Sequence, residues 1–192
     1  MLSDSEKQML LKIARQTIDA AINGRDVPKA AITQPALLEH AGAFVTLHEN
    51  FELRGCIGYA DPSHPLFETV RDAAEKAALQ DPRFMPVSRD ELPCIEIEIS
   101  VLSPLTEMTS LDEIEIGKHG LVVELGDHRG LLLPQVAIQA GWDKETYLRQ
   151  TMRKSGLPPH LWHDRELKVY WFTAEVFGEP PPSLPEHDPA NT

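Results

Sequence analysis

The sequence predicts a single domain that combines α-helices with antiparallel β-strands. Three observations support this prediction: a capped amphipathic helix near the N-terminus, two segments with the pattern of a β-hairpin, and a strictly alternating strand at residues 94–101. With 192 residues the chain has the length of one ordinary domain, which buries roughly 70% of the surface of its unfolded chain. A core of this size needs no disulfide or metal to hold it together.

The elements of the N-terminal half follow from local patterns. A capping box at residues 3–6 begins a helix, whose apolar residues recur at helical spacing up to Ile22. Residues 43–48 and 51–59 have the pattern of two strands in a hairpin. A second helix is expected at residues 66–78, between two proline-containing turns. Its alanine-rich face predicts close packing against a sheet.

The C-terminal half continues the mixture of strands and helices. At residues 94–101 isoleucine and valine alternate with polar residues, which is typical of a strand with one solvent-facing side. The remaining elements are predicted in this order: a hairpin at residues 121–125 and 129–133, helices at 134–140 and 144–154, and a strand at 169–177. The folded domain is expected to span residues 1–178, and the Pro-rich acidic tail at 179–192 is expected to be disordered.

Charge and composition exclude several classes of protein. The chain has 18 basic and 30 acidic residues, a net charge of −12 and no Lys/Arg cluster, which argues against nucleic-acid binding. Its longest apolar runs are far shorter than the ~20 residues of a membrane span. Two cysteines without a CxxC pair, and an acidic N-terminus unlike a signal peptide, favour reduced thiols and a cytoplasmic location. The sequence contains no closed set of metal ligands and no cofactor motif, so no metal or cofactor is expected.

The hexapeptide at residues 53–58 contains the main candidate for a functional site. It places Cys56 between Gly55 and Gly58 and two residues after Arg54. In a strand, Arg54 and Cys56 point to the same face and lie roughly 7 Å apart. At that distance the attraction between a guanidinium and a thiolate is about 2.4 kcal/mol at an effective dielectric constant of ~20, and about 0.6 kcal/mol in water. Burial therefore decides how strongly Arg54 stabilises a thiolate.

The hexapeptide has several interpretations. Glu52 lies on the same predicted face and opposes the effect of Arg54, either by pairing with it or by repelling a thiolate. In one interpretation Cys56 is a small buried hydrophobic residue, and the glycines serve a β-bulge or close backbone packing. In another, the glycines let a ligand or a partner backbone approach. We expect Cys56 to be accessible from a cleft, and Cys94, which begins a strand beside Pro93, to be inaccessible.

A second candidate is the loop at residues 117–120, which contains Lys118 and His119. The loop has the glycines and the lysine of a phosphate-binding loop, but it lacks the GxxxxGK[ST] pattern and a clear following helix. A histidine in such a setting is more often a turn residue than a catalytic one. The loop is therefore a weak candidate for a phosphate site, and the one catalytic role considered for His119 is proton transfer.

Several motifs follow one another in a fixed order along the chain. They are GAFVTL at 42–47, LRGCIG at 53–58, DPRF at 81–84, GKHGL at 117–121, RGLLLPQVA at 129–137, GW at 141–142 and KSGLP at 154–158. In this order they resemble the motifs of the AMMECR-type domain family, whose prokaryotic members are called AmmeMemoRadiSam system protein A. The resemblance covers about residues 5–178.

The resemblance implies an α+β fold of two unequal lobes around a mainly antiparallel sheet flanked by helices. It implies further that the signature Arg54-Gly55-Cys56 lines a cleft between the lobes. Microbial members of the family look like partners of a Memo-type protein and a radical-SAM protein, which implies a shared modification pathway. The resemblance assigns no reaction to this component.

The chain departs from the family pattern at two positions. Phe51 stands where the family commonly has the glycine of an Asn-Gly turn. A tight type I′ turn would strain Phe51, so a longer loop is expected. Met152 stands where a cysteine is common, which argues against a two-cysteine mechanism that includes Cys56.

Two functions are consistent with the sequence. In the first, the protein is a binding or accessory module for a small anionic ligand or a partner's peptide, with Arg54 as a planar fork and Gly55, Cys56 and Gly58 around it. In the second, it is an enzyme or enzyme subunit: Cys56 is the nucleophile or acceptor, Arg54 stabilises the thiolate or an anionic substrate, and His119 moves protons. The sequence identifies no base beside Cys56, which favours the binding module.

Overall fold

A computed structural model gives the fold of residues 1–27 and 31–180. These residues contain five α-helices and seven β-strands, and the strands pair antiparallel, which confirms the predicted α+β class. They divide into two compact units, one formed by residues 1–100 with the segment from Val176 onward and the other by residues 101–175. Residues 181–192, most of the predicted tail, lie outside the described residues. Within the described ranges no helix has both the length and the apolar character needed to cross a membrane.

The first unit begins with the predicted capping box. The Glu6 N–H donates to the Ser3 hydroxyl, and the Ser3 N–H donates to the Glu6 carboxylate at 2.7 Å. In its sheet, β1 lies between β2 and β3, so β2 is an edge strand, and the end of β7 lies on the other side of β3. The elements of this unit are α1 (Asp4–Ile22), α2 (Pro35–Leu38), β1 (Ala43–Glu49), β2 (Glu52–Tyr59), α3 (Leu66–Leu79), the first part of β3 (Ile95–Leu102) and the end of β7 (Lys168–Gly178).

Helix α3 packs on the hairpin of β1 and β2 through its alanine face, as predicted. The four alanines between residues 73 and 78 are at most 3% exposed, and Val45 and Leu47 of β1 are fully buried. The close approach also depends on Gly55 of β2. A Cβ at this position would lie 2.3 Å from the main-chain oxygen of Ala77, which is closer than real Cβ atoms come to backbone. Gly55 therefore allows the helix to lie directly on the strand.

The hairpin has a tight two-residue turn, so the expectation of a longer loop is wrong. Glu49 pairs with Glu52, and only Asn50 and Phe51 connect the two strands. Their φ angles are 51° and 66°, both in the left-handed region that a type I′ turn requires. Asparagine tolerates this region, whereas a bulky residue does not adopt it without strain. The pairing of the two strands thus stabilises the tight turn by more than the positive φ of Phe51 costs.

A register shift interrupts the same ladder near the turn. Leu47 pairs with Gly55, but His48 pairs with Leu53, so Arg54 is an additional residue on β2 without a cross-strand partner. Such a β-bulge bends the strand and turns its side chains in a new direction. The regular alternation that the sequence predicts along β2 therefore ends at Arg54.

The second unit is built around β5 and its neighbours. Strand β7 pairs with β4 and β5, and β6 pairs with β5. Its core includes the fully buried side chains of Tyr147 and Met152, and the Tyr147 hydroxyl donates to the main-chain oxygen of Leu132 at 2.9 Å. Its elements are β4 (Thr106–Glu107), β5 (His119–Leu125), β6 (His128–Leu132), α4 (Pro134–Gln139), α5 (Lys144–Lys154) and most of β7.

The first unit extends past the end of β7 to Glu179. The Glu179 N–H donates to the main-chain oxygen of Ile97 at 2.9 Å, and its carboxylate accepts from the Ile97 N–H at 3.1 Å. The same carboxylate forms an ion pair with Arg15 of α1, which also donates to the main-chain oxygen of Ile95. These bonds tie the first residue of the predicted tail to α1 and β3.

Candidate functional site

Strand β2 holds Cys56 opposite Thr46 of β1. The Thr46 hydroxyl donates a hydrogen bond to Cys56 Sγ over 3.3 Å. Thr46 is buried and Cys56 is half-buried, so the thiol is partly accessible. A threonine hydroxyl orients the thiol, but it is no base that could remove the thiol proton.

The segment after α3 contacts the main chain of Cys56. The Cys56 N–H donates to Asp81 Oδ2 at 2.8 Å, and its carbonyl oxygen accepts from Arg83 Nη2 at 3.3 Å. Asp81 and Arg83 are joined to each other by hydrogen bonds from Nε to Oδ1 at 2.9 Å and from Nη2 to Oδ2 at 2.6 Å. A single ion pair therefore satisfies both main-chain groups of Cys56.

Asp81 is ionised at neutral pH in this arrangement. The hydrogen bond from the Arg83 side chain lowers the pKa of the Asp81 carboxyl to about 2, although burial acts in the opposite direction, and the N–H groups of Cys56 and Arg83 add to the lowering. The bond to Asp81 in turn raises the pKa of Arg83. A carboxylate with so low a pKa does not take up a proton near pH 7, so Asp81 is unsuited to be a general base.

Arg54 pairs with Glu91 and not with Glu52, which corrects the expectation from the sequence. Arg54 Nε donates to Glu91 Oε1 at 2.7 Å, and Glu91 Oε2 accepts from the Ser88 N–H at 2.7 Å. These bonds, led by the one from Arg54, lower the pKa of Glu91 to about 2. Glu52 is exposed. The partner of Arg54 thus comes from a segment 37 residues further along the chain.

Both arginines lie over the ring of Phe84. Their guanidinium carbons are 5.9 Å (Arg54) and 5.4 Å (Arg83) from the ring centroid, within the range of cation–π attraction. The side chain of Arg54 is only 14% exposed, whereas that of Arg83 is 52% exposed. Within the described part of the chain, the two terminal nitrogens of Arg54 have no hydrogen-bond acceptor. We call the following residues the Cys56 site: Arg54, Cys56, Asp81, Arg83, Phe84 and Glu91.

The glycines beside Cys56 do not open a path to the thiol. The space next to Gly55 is taken by the main chain of Ala77, and a Cβ on Gly58 would lie 2.4 Å from the Phe44 ring. Both glycines therefore make room for atoms of the protein itself. This geometry agrees with the interpretation in which the glycines serve close packing.

The two cysteines differ in exposure, but in the opposite sense to the sequence-based expectation. Cys94 is exposed, whereas Cys56 is half-buried. The cause is a 3₁₀ turn over Leu92–Cys94, which places Cys94 before β3 instead of inside it. Pro93 within this turn lacks the N–H that a ladder position would need.

His119 lies in the second unit, at the start of β5, and is 5% exposed. Its ring stacks on Trp171 with centroids 4.4 Å apart and an interplanar angle of 16°. Its Nδ1 lies 3.0 Å from the main-chain oxygen of Glu113 and 3.2 Å from the Glu115 nitrogen. Lys118 of the same loop pairs with Glu115 at 3.0 Å. His119 is therefore a buried side chain that packs on Trp171 and bonds to the main chain of the preceding loop.

The described residues contain no group of three or more His, Cys, Asp or Glu side chains arranged to hold a metal ion. The Cys56 site offers cationic donors instead, which suit an anion. The geometry can therefore orient a carboxylate or phosphate group at Arg54.

Sequence reasoning missed four residues of the Cys56 site: Asp81, Arg83, Phe84 and Glu91. The first three belong to the DPRF motif at residues 81–84, so a signal was present, but nothing in the motif shows that it reaches Cys56. Glu91 belongs to no motif that sequence reasoning identified. Its role depends on the path of the chain after α3, which local patterns do not predict.

Comparison with known proteins gives consistent matches over nearly the whole chain. A family model described as AMMECR1 matches residues 11–177. A protein of Thermococcus onnurineus is 45% identical over 195 residues, which covers 96% of this chain and 95% of that protein. A protein of Methanothermobacter thermautotrophicus is 44% identical over 185 residues, which covers 93% and 96%. The crystal structure of an uncharacterized protein from Pyrococcus horikoshii is similar with a TM-score of 0.88, 39% identity and coverage of 96% of each chain.

Proposed function

The chain belongs to the AMMECR1 family, and from this membership we propose that it is a binding or accessory module whose Cys56 site holds an anionic group. The observation that carries the proposal is the state of Arg54. Its side chain is mostly buried and fixed by Glu91 through Nε, while its terminal nitrogens have no acceptor among the described residues. A guanidinium held in this way presents a planar fork that matches a carboxylate or a phosphate.

The charge balance of the site predicts moderate affinity. Two arginines are matched by two carboxylates, those of Asp81 and Glu91, so the site has no net excess of positive charge. Binding of an anion therefore depends on hydrogen bonds from the terminal N–H groups of Arg54 more than on the net charge of the site. The protein as a whole has a charge of −12, which further reduces long-range attraction of anions.

The experiment that tests the proposal is a titration with inorganic phosphate and, separately, malonate, followed by NMR of the arginine side chains. We expect the Nε–H resonance of Arg54 to shift with saturation. The variant Arg54→Gln should weaken the binding by about tenfold or more, because it removes the charged fork. Arg54→Lys should lose most of the affinity as well, since lysine keeps the charge but not the bidentate geometry.

The matched control is Arg149→Gln. Arg149 is a half-exposed arginine that pairs with Glu145 on α5 and is not one of the residues of the Cys56 site. Its replacement should leave the titration unchanged. Equal anion binding by wild type and by Arg54→Gln would refute the proposal.

A second candidate function is an enzyme or enzyme subunit that uses Cys56 as nucleophile or acceptor. It is favoured by the position of Arg83, whose Nη2 donates to the main-chain oxygen of Cys56 at 3.3 Å and so places a cation beside the residue that carries the thiol. Against it, the described residues around Cys56 include no suitable base, because Thr46 is a hydroxyl and the low pKa of Asp81 keeps its carboxylate from taking up a proton near pH 7. Iodoacetamide kinetics in a Cys94→Ser background separate the two functions. Fast alkylation at pH 7 that Arg83→Gln slows markedly would favour the enzyme.

The proposed partners are a Memo-type protein and a radical-SAM protein, and the proposed location is the cytoplasm. The family resemblance supports the partners, and the cysteine usage supports the location. Sedimentation of the purified proteins, alone and mixed, tests the association. A complex that sediments faster than each component is expected, and unchanged sedimentation of all components in the mixture would contradict it.

A further inference from the structure

Strand β2 is the edge of its sheet, and its outward-facing main chain is capped by side chains at Cys56. Residues Thr46 and Cys56 face each other in the ladder with β1, but the N–H and C=O of Cys56 go to Asp81 and Arg83. Cys56 is therefore a position whose main-chain groups point away from β1. Asp81 supplies the acceptor and Arg83 the donor that a further strand would otherwise supply.

The cap is costly to displace. Asp81 is 5% exposed, and its carboxylate also holds the Arg83 guanidinium through two hydrogen bonds. A strand that bound along β2 would have to remove this carboxylate from Cys56. It would then leave a buried charge without one of its donors, which is strongly unfavourable.

We infer that the ligand of the Cys56 site is a small anionic molecule and not an extended peptide that adds a strand to β2. This inference rests on the proposed function and decides between the two ligand classes that the sequence leaves open. A small carboxylate or phosphate needs only the terminal nitrogens of Arg54. A peptide strand needs the main-chain edge of β2, and the pair of Asp81 and Arg83 occupies that edge at its middle.

The test measures amide hydrogen exchange along β2 together with the Arg54 Nε–H resonance. Wild-type protein is mixed with malonate, or with a hexapeptide of alternating valine and threonine that ends in a free glutamate. We expect malonate to shift the Arg54 resonance. We expect the peptide to leave the exchange of the Cys56 and Gly58 amides unchanged. Gly58 is included because it lies two residues after Cys56 in the same uninterrupted ladder, so its amide faces the same edge.

The double variant Asp81→Ala/Arg83→Ala removes both side chains of the cap and leaves the pair of Arg54 and Glu91 in place. Without both side chains no buried carboxylate has to leave Cys56, so the peptide should slow the exchange of the Gly58 amide by roughly tenfold, as expected for a newly formed main-chain hydrogen bond. Arg83→Lys keeps a cation beside Asp81 and should behave like wild type. Thermal unfolding of both variants checks that they are folded.

The outcomes separate this inference from the proposed function. Slower Gly58 exchange in the wild type with peptide would overturn the inference, as would no effect of the peptide on folded Asp81→Ala/Arg83→Ala protein. A malonate titration that leaves the Arg54 resonance unmoved would instead refute the proposed function, whatever the exchange data show.

Discussion

Single residues of the Cys56 site are organised by two carboxylates that act in the same way. Asp81 binds the Arg83 side chain and the Cys56 N–H, and Glu91 binds the Arg54 side chain and the Ser88 N–H. Each carboxylate thus links one arginine side chain to the main chain, and Asp81 also accepts from the Arg83 N–H. The two carboxylates fix the guanidinium groups in place and neutralise their charge. The site can therefore recognise a ligand through the positions of its N–H groups and not through a net positive charge.

Asp81→Ala is expected to lower the free energy of unfolding by about 2–4 kcal/mol, because it leaves the Cys56 N–H and the Arg83 guanidinium without their acceptor. Urea unfolding of the purified protein measures the loss. Asp61→Ala is the control, because Asp61 is an exposed residue that only accepts from Ser63. It should change the stability by less than about 0.5 kcal/mol.

The same carboxylates make stability depend on acid pH. The pKa values of Asp81 and Glu91 fall from 3.8 and 4.5 to about 2 on folding. Because both are lowered, the stability that they contribute is fully present above about pH 5 and is lost as the pH falls towards 2. Unfolding measured at several pH values between about 5 and 2.5 should show a smaller decrease for Asp81→Asn than for wild type. An identical decrease would contradict the assigned role of Asp81.

Part of this site was predictable from the sequence. The motif correctly indicated that Arg54 and Cys56 lie on one strand, β2. The prediction that they share a face rested on a regular alternation, which the bulge at Arg54 interrupts. The sequence did not indicate that Glu91 would bind Arg54, or that the motif containing Asp81 and Arg83 would lie against Cys56. Those contacts depend on the return of the chain after α3, and a long-range return has no signature in local spacing.

At the scale of elements, the hairpin of β1 and β2 combines two irregular features. The turn forces Phe51 to a φ of 66°, and the bulge removes Arg54 from the ladder. Periodicity predicted both strands. The glycines of β2 made a bulge one of the alternatives, but nothing in the sequence indicated that Arg54 would be the residue left out of the ladder. Residue preference predicted the turn wrongly, because it weighs Phe51 alone and not the ladder that continues to Glu49 and Glu52.

Phe51→Gly is expected to stabilise the protein by about 0.5–1 kcal/mol, because glycine adopts the left-handed region without the strain that a side chain causes. The Phe51 ring is 83% exposed, so little packing is lost. Thermal or urea unfolding measures the change. Asn50→Gly is the comparison and should change stability by only a few tenths of a kcal/mol, since asparagine already tolerates a positive φ. A clear destabilisation by Phe51→Gly would show that the ring makes a favourable contact.

At the scale of the whole molecule, two distant segments of sequence close the first unit. Arg15 of α1 and Glu179 are 164 residues apart, and they form an ion pair that also involves main-chain groups of Ile95 and Ile97. Helices α1 and α3 and the strands of this unit were predicted from local patterns, whereas the short helix α2 was not. The role of Glu179 was not, because an acidic residue beside prolines has the composition of a solvated tail.

Glu179→Ala is expected to destabilise the protein by about 1–3 kcal/mol, since it leaves the partly buried Arg15 without its charged partner. The control is Glu145→Ala, which removes a half-exposed ion pair with Arg149 and should cost less than about 0.5 kcal/mol. Denaturant unfolding followed by far-UV circular dichroism, which detects both units, compares the two. Equal effects of the two substitutions would mean that the bonds of Glu179 add nothing beyond those of a surface pair.

The division of the first unit has a consequence for biosynthesis. The first unit is complete only when residues 176–179 join residues 1–100, whereas the second unit is one continuous segment, residues 101–175. During translation at roughly 5–20 residues per second, the ribosome therefore delivers everything that the second unit needs before it delivers the last piece of the first. The N-terminal part of the nascent chain, with its open β3 edge, stays incomplete for several seconds, and in that interval it is the part that needs protection from aggregation.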